Sequence, residues 1–464
     1  MISDGPLMYA ADLYCGGGGT STGMLKALND KGYKVRLVAL NHSPAAIDTH
    51  SANHTEAHHF CWPLEAVDPR QAVPGGKLDL LWASPECTHF SAARGSKPKC
   101  DQSRSAANDV VTWLEDLDVN AFAIENVQEF RTWGPLDEHG KVIPEKKGEY
   151  FLQFLNNIRN MGYEVKYRIL NAADYGAPTC RKRLIIIGRK DGKELNWPEP
   201  THSETGTFLP KWRAAHEIID WSLPIPSIFE RDRPLAEKTM QRIAKGIKKF
   251  VIDAKKPFLL SHGKDGVLIP HISKMYGTST GSAIDEPIHT ITSGGMKHAL
   301  VTAFLAKHFG TSIGSDAKAP VGTLTTKNKQ SIVAAHLMKY HGGANGDKRN
   351  YGLDQPIGTL DCSNRFGLVQ AFLMKYYGSG TNCQSLYDPL GTVTTKERFG
   401  IVTIEHEQYA IMDICMRMLA PHELAAATGF PEDYVFKGNK ATQVKLIGNA
   451  VPVELAEAVV NALI

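Results

Sequence analysis

Between residues 7 and 188 the chain alternates short apolar runs with amphipathic stretches, and several runs end on a polar residue with chemistry of its own. That alternation predicts α/β architecture, a doubly wound, largely parallel Rossmann-like sheet. The first run, 7–14, closes on Asp12-Leu13-Tyr14 and passes into Cys15-Gly16-Gly17-Gly18-Gly19-Thr20-Ser21. Met24, Leu25 and Leu28 then recur at helical spacing up to Asp30 and Gly32. Strand, glycine loop and helix open a nucleotide-binding unit, because glycines let the backbone approach a ligand and turn its amides toward it. The Gly-Lys-Ser/Thr ending of a phosphate-cradling loop is missing. The second run, 35–40, ends at Asn41-His42, with a helix following toward 52. Where such a strand usually ends on a carboxylate that holds ribose hydroxyls, Asn41 offers an uncharged amide.

The run 78–83 leads into Ser84-Pro85-Glu86-Cys87-Thr88-His89-Phe90-Ser91. Pro85 stops the strand, and Cys87 falls just past its end, where open α/β sheets place their chemistry. A lone cysteine in such a loop is more often a small half-buried residue than a nucleophile. The run 121–124 ends in Glu125-Asn126-Val127, a carboxylate beside the strand that leads to Cys87. Taken alone, a surface glutamate at a strand end is the commoner reading. A polar stretch covers 92–108, and helical patterns cover 110–117 and 151–161. A strand at 165–170 and a turn at 173–178 lead to Arg181-Lys182-Arg183 and a last buried strand.

The 464 residues suffice for two or three domains. No apolar run reaches membrane-spanning length, and the N-terminus lacks the regions of a signal peptide. Eight cysteines are scattered without zinc-site spacing, so neither a metal nor a disulfide framework is expected, and the setting is read as reduced and cytoplasmic. The net charge of +3 hides an asymmetry: residues 241–402 hold 20 lysines and arginines against 10 aspartates and glutamates. A basic middle in an otherwise acidic chain suggests a polyanion docked there, although a solvated lysine-rich surface would look the same.

That middle is repetitive. After Trp197-Pro198 the βα alternation stops, and 237–251 reads as a helix with Met240, Ile243, Ile247 and Val251 on one face. Arg242, Lys245 and Lys249 form a second, basic face. From about 257 to 402 four units follow. They carry Lys274-Met275-Tyr276-Gly277, Lys307-His308-Phe309-Gly310, Lys339-Tyr340-His341-Gly342 and Lys375-Tyr376-Tyr377-Gly378. Each unit then has a proline, at 287, 320, 356 and 389, and closes on a short apolar run near Val301, Val333, Val369 or Val402. The Thr, Val, Gly and aromatic content predicts β structure rather than helix pairs. The recurring Lys307, Lys339 and Lys375 suit phosphate contacts, while the aromatics suit an architectural turn.

In this order the motifs resemble those of the DNA cytosine-5 methyltransferases. Asp12-Leu13-Tyr14-Cys15 with its glycines resembles the family's cofactor loop, Ser84-Pro85-Glu86-Cys87 its nucleophile loop, and Glu125-Asn126-Val127 its Glu-Asn-Val signature. Tyr175-Gly176-Ala177-Pro178-Thr179-Cys180-Arg181-Lys182-Arg183 is similar to its Arg-x-Arg block. Arg417-Met418-Leu419-Ala420-Pro421-His422-Glu423 and Gly448-Asn449-Ala450-Val451-Pro452 resemble its two closing blocks. The resemblance implies a catalytic domain over 1–196, a target-recognition domain over 197–410 and a C-terminal segment, 411–464, that returns to the catalytic domain.

It also implies S-adenosyl-L-methionine as cofactor, held by Asp12, Tyr14, Gly16, Gly18, Gly19, Asn41, Asn449 and Val451. Cys87 would be the nucleophile toward C6 of a flipped cytosine. Glu125 would meet N3 and the 4-amino group, Arg183 would hold O2, and Arg181 would support the Cys87 loop or the phosphates. Ser91, Lys307, Lys339 and Lys375 would contact double-stranded DNA. A monomer in a bacterial or phage-encoded restriction–modification setting, associated with the nucleoid, is the expectation. Glu86 and Thr88 flanking Cys87, Thr179, and Asn41 depart from the family pattern. An RNA cytosine-5 methyltransferase, a non-catalytic DNA-binding protein on the same scaffold and a dinucleotide-dependent oxidoreductase are the alternatives.

Overall fold

The structure, a computed structural model, describes residues 5–85, 102–138, 142–229, 231–253, 259–262, 266–274, 281–293, 297–307, 336–339, 350–352, 366–369, 401–404 and 407–464. The chain divides into two compact units, 1–224 with 271–300 and 417–464, and 225–270 with 301–416. The first thus takes in 197–224 and 271–300, which the sequence reading assigns to the middle domain.

The first unit is built on a seven-stranded sheet in the order β3-β2-β1-β4-β5-β8-β6. Its strands are β1 (Leu7–Leu13), β2 (Lys34–Leu40), β3 (His58–Phe60), β4 (Lys77–Ala83), β5 (Asp118–Asn126), β6 (Glu164–Asn171) and β8 (Lys182–Arg189). Strands β3, β2, β1, β4 and β5 are mutually parallel, and β8 runs antiparallel to both β5 and β6. A two-residue strand, β7 (Thr179–Cys180), pairs in parallel with Ile288–His289. The helices are α1 (Gly19–Asp30), α2 (Pro44–Asn53), α3 (Pro69–Ala72), α4 (Gln102–Asp116) and α5 (Glu149–Asn160). The helix expected at 110–117 thus starts at Gln102, inside the stretch read as polar.

Side chains of the central strands separate onto the two faces with the period of two that a pleated strand imposes. Leu81, Phe122, Ile124, Leu184 and Ile186 pack with α4 and α5. Leu80, Trp82, Ala123, Ile185 and Ile187 pack with α1 and the C-terminal helix. Both faces are covered, which is why these strands read as continuous apolar runs rather than alternating ones.

Chain order reverses between β1 and β4, where a doubly wound sheet opens a crevice at its strand ends. Leu13, Leu40, Ala83 and Asn126 end their strands at this edge, and the antiparallel register of β8 brings Lys182 and Arg183 to it as well.

In the second unit α6 (Glu237–Ile247) continues into a π-helical turn, Lys248–Ile252. The expected apolar face, Met240, Ile243, Ile247 and Val251, is buried. The described strands of the repeats fit the β expectation. His336–Lys339 pairs antiparallel with Asn350–Gly352 and with Phe366–Val369. Across the chain, Gly266–Lys274, His298–Lys307 and His336–Lys339 each end on the lysine of the repeat.

The last three helices are α7 (Pro421–Ala427), α8 (Lys440–Asn449) and α9 (Val453–Leu463), and α9 lies along α1. The stretch Lys440–Leu463 is apolar enough to cross a membrane by composition alone, but 67% of its most apolar window is buried. Pro452, at the N-cap of α9, also splits it into two helices.

Candidate active site

The glycine run makes two kinds of surface. Among the described residues a Cβ on Gly16 would meet only the Tyr14 carbonyl, at 3.8 Å, so that side of the loop is open to them. A Cβ on Gly18 would collide with the Tyr434 hydroxyl, and one on Gly19 with the Val451 carbonyl. Gly18 and Gly19 therefore let the C-terminal segment close on the loop, and Gly16 leaves room for a ligand. The segment is fastened by Tyr434, whose hydroxyl donates to the Gly17 carbonyl at 2.7 Å, and by the rings of Phe430 and Phe436 packed against it at tilted angles. Tyr14 turns the chain into the loop at φ +63°, a left-handed conformation that costs about 1 kcal/mol or more for a residue with a Cβ. Its hydroxyl reaches the Ala106 carbonyl at 3.3 Å and Asp109 at 3.4 Å on α4.

Asp12 ends the sheet beneath this loop with no exposed surface. Its Oδ2 accepts from the Ser21 hydroxyl at 2.6 Å, while Oδ1 has no hydrogen-bond partner among the described residues. Burial pushes its carboxyl up to about 7, against the opposing effect of the Ser21 bond. Asn41 is buried, and its Oδ1 accepts from the Ser43 amide at 2.9 Å, closing the turn into α2. That acceptor role is one a carboxylate oxygen could also fill.

Glu125 and Arg183 meet directly. Arg183 Nε lies 2.7 Å from Glu125 Oε1, and the side chains are only 13% and 9% exposed. Register puts them together: Glu125 faces Ile185 across the antiparallel β5–β8 pair, two residues along from Arg183 on the same face. Next door, Asn126 Nδ2 donates to the Pro85 carbonyl at 3.4 Å, so the end of β5 holds the start of the loop that carries Cys87. Cys87, Ser91 and Lys375 lie outside the described residues. Lys307 and Lys339 lie in strands, with their side chains outside the described set.

Arg181 has a different place from the phosphate contact that was one of its two expected roles. It is 3% exposed, and its guanidinium donates to the carbonyls of Ile291 at 2.9 Å, Gly448 at 3.0 Å and Asn449 at 3.4 Å. A buried fork that closes the orphan carbonyls at the end of α8 cannot also face solvent phosphates. Asn449 therefore contributes its carbonyl to this clamp, and Val451 lies against Gly19.

Sequence reading missed the residues behind the loop. His50, on α2, is fully buried between Ser21 and His59, with ring nitrogens 2.9 Å and 2.8 Å from their partners. His54, one turn on, lies 3.2 Å from the Thr22 hydroxyl and 3.3 Å from that of Tyr434. Among the described residues no group of three His, Cys, Asp or Glu side chains is placed to hold a metal ion.

The open face at Gly16 and the unpartnered Oδ1 of Asp12 suit a ligand that is both extended and cationic, which S-adenosylmethionine is. The chain is 28% identical over 175 residues to the type II methyltransferase M.SacI of Streptomyces achromogenes, covering 36% of this chain and 42% of that one. To M1.HphI of Haemophilus parahaemolyticus it is 29% identical over 201 residues, covering 42% and 50%. It thus spans about half the length of the curated relatives it matches. In fold it is similar to a DNMT2 of Spodoptera frugiperda, with a TM-score of 0.51 at 14% identity over 98% of this chain and 99% of that one. The model of the C-5 cytosine-specific DNA methylases matches residues 8–239 and 323–464, well over half of the chain, and the chain belongs to that family.

Proposed function

We propose that the chain methylates C5 of cytosine in double-stranded DNA through a covalent adduct between Cys87 and C6 of a flipped base. One observation carries this reading: the buried Glu125–Arg183 pair at the strand ends next to β4, which leads to Cys87. Cytosine C5 is a poor nucleophile until a group adds to C6, and a thiolate is suited to that addition. The base must leave the duplex first, since C6 is otherwise inside the stack. The Cys87 thiolate bonds to C6 and the C5=C6 pair moves toward C5. Glu125 faces N3 and the 4-amino group and favours the enamine, and Arg183 beside it holds O2. S-adenosylmethionine, when bound, supplies an electrophilic methyl on a sulfonium. Tyr14, Gly16 and Asn41 would hold it, with Asp12 beneath and Asn449 and Val451 closing the loop behind. Loss of the C5 proton and departure of Cys87 restore the aromatic ring.

Purified protein with labelled S-adenosylmethionine is expected to label C5 of cytosine in duplex DNA. On DNA containing 5-fluorocytosine it is expected to form a covalent complex that Cys87→Ser abolishes, because fluorine blocks the final elimination. Label confined to RNA or to adenine would overturn the assignment, and a complex that survives Cys87→Ser would move the nucleophile elsewhere.

A further inference from the structure

The side chains of Asp12, Ser21, His50 and His59 form one unbroken hydrogen-bonded line. Asp12 Oδ2 to Ser21 Oγ is 2.6 Å, Ser21 Oγ to His50 Nε2 is 2.9 Å, and His50 Nδ1 to His59 Nε2 is 2.8 Å. Asp12, Ser21 and His50 have no exposed surface, while His59 is half-buried on the edge strand β3. The line therefore runs from the floor of the glycine loop to the protein surface. None of its members is called on by the methyl-transfer chemistry itself.

We propose that this line is a reversible proton relay, with His50 as its positioning residue, through which Asp12 gives up its proton to solvent when a cationic cofactor docks on the glycine loop. The proposal rests on the reading of that loop as the S-adenosylmethionine site.

Two arrangements satisfy every group in the line. With Asp12 protonated, its hydroxyl donates to Ser21, Ser21 donates to His50 Nε2, and His50 Nδ1–H donates to His59 Nε2. With Asp12 ionised, each bond reverses: His59 Nε2–H donates to His50, His50 Nε2–H to Ser21, and Ser21 to the carboxylate. Passing from the first to the second moves one proton across each link and releases one, from His59 Nδ1, to water. A hydroxyl and neutral imidazoles, each both donor and acceptor, can reverse in this way.

The electrostatics favour neutral rings. Burial holds His50 well below its ordinary value, with His54 and His59 adding to the effect, and burial lowers His59 too, opposed by a hydrogen bond to the Ala57 backbone and helped by neighbouring His58. The groups that face Asp12 supply no counter-charge. Cys15 on the loop and Tyr434 from the C-terminal segment are both pushed up, by burial first and by Asp12 second or later, and so remain neutral. Among the described residues no cation lies beside Asp12, and a carboxyl with a lone unpartnered oxygen stays largely protonated below about 7 until a cation arrives. His54 stands outside the line, bonded to Thr22 and Tyr434 and lowered to about 4 by burial.

Two measurements test this. The first uses the free protein: nitrogen-15 spectra of its histidines between pH 5.5 and 8.5. His50 is expected to exchange its tautomer, from Nδ1–H to Nε2–H, around the midpoint at which Asp12 ionises, and Asp12→Asn is expected to freeze it in one form. The second is calorimetry with S-adenosylmethionine in two buffers of different ionisation heat. Proton release is expected to approach one per cofactor at pH 6 and to vanish by pH 8.5. His50→Phe, which removes the donor behind Ser21, is expected to move the pH midpoint of affinity upward, and His50→Gln to restore part of the shift. Lost packing alone would lower affinity equally at every pH, so an unmoved midpoint overturns the role of His50. A single His50 tautomer across the range overturns the relay even when the cofactor binds. A His50 that switches in a protein with no affinity for S-adenosylmethionine overturns the cofactor reading and leaves the relay standing.

Discussion

A buried acid beneath a ligand loop is unusual enough to carry a stability signature. Asp12 ionises in the unfolded chain near pH 4 and in the folded chain near 7. The folded state therefore binds the extra proton, and stability falls as pH rises through that window, by about 1.4 kcal/mol for each unit of pH. Above pH 7 the penalty is complete and constant. Asp12→Asn removes it, so the variant is expected to gain on the wild type between pH 4 and pH 7 and to hold a steady advantage at pH 8. Urea unfolding at four or five pH values checks this, and an advantage independent of pH would show that Asp12 is not the titrating group. Asn41 poses a different question. Its Oδ1 is committed to the Ser43 amide, so Asn41→Asp keeps the turn while restoring a carboxylate. Calorimetry is expected to show S-adenosylmethionine binding unchanged or tighter; a large loss would mean that the pocket uses the amide hydrogens.

At the scale of elements, the two C-terminal motifs turn out to be structural locks. Glu423 is fully buried and takes both Nη atoms of Arg417 at 2.7 Å, while accepting the amides of Ala420 and Asp220. It thus caps α7 and ties it to the chain at 220. Glu423→Gln leaves Arg417 buried without its counter-charge, and a loss of about 3–5 kcal/mol in unfolding free energy is expected. Denaturant titration reads this directly, and a loss below about 1 kcal/mol would show the pair to be dispensable. The strands of the first unit were legible because burial on both faces writes them as uninterrupted apolar runs, and the glycine loop because strand and helix flank it. Glu125 and Arg183 were legible as separate motifs, but their contact depends on the β5–β8 register, which no local pattern encodes. The clamp that Arg181 makes was not legible for a related reason: its partners are carbonyls more than a hundred residues away in sequence. His50 and His54 stand one helical turn apart, a spacing that puts both on one face of α2, yet nothing local says that the face meets Ser21 and Tyr434.

At the scale of the whole molecule, charge is divided unevenly along the chain. The middle segment 241–402 carries the basic excess, and the rest of the chain is net acidic. The three repeat lysines with described backbones, Lys274, Lys307 and Lys339, each occupy the last position of a strand. A recurring lysine at a recurring backbone position suits contact with a recurring ligand feature, and on the proposed function the phosphates of a duplex would be that feature. Such contacts fix register without reading sequence, so on that proposal base discrimination would fall to the parts whose sequence differs between units, such as 345–350 and 379–384. Replacing Lys307, Lys339 and Lys375 together by alanine is expected to weaken specific and random duplexes alike. For every phosphate that the variant no longer neutralises, the plot of log affinity against log salt is expected to flatten by about 0.9. Exchanging the variable loops is expected to leave that slope intact and to change which cytosines are methylated. A triple variant with the wild-type slope would make the repeats a scaffold and place the DNA contacts on the catalytic unit.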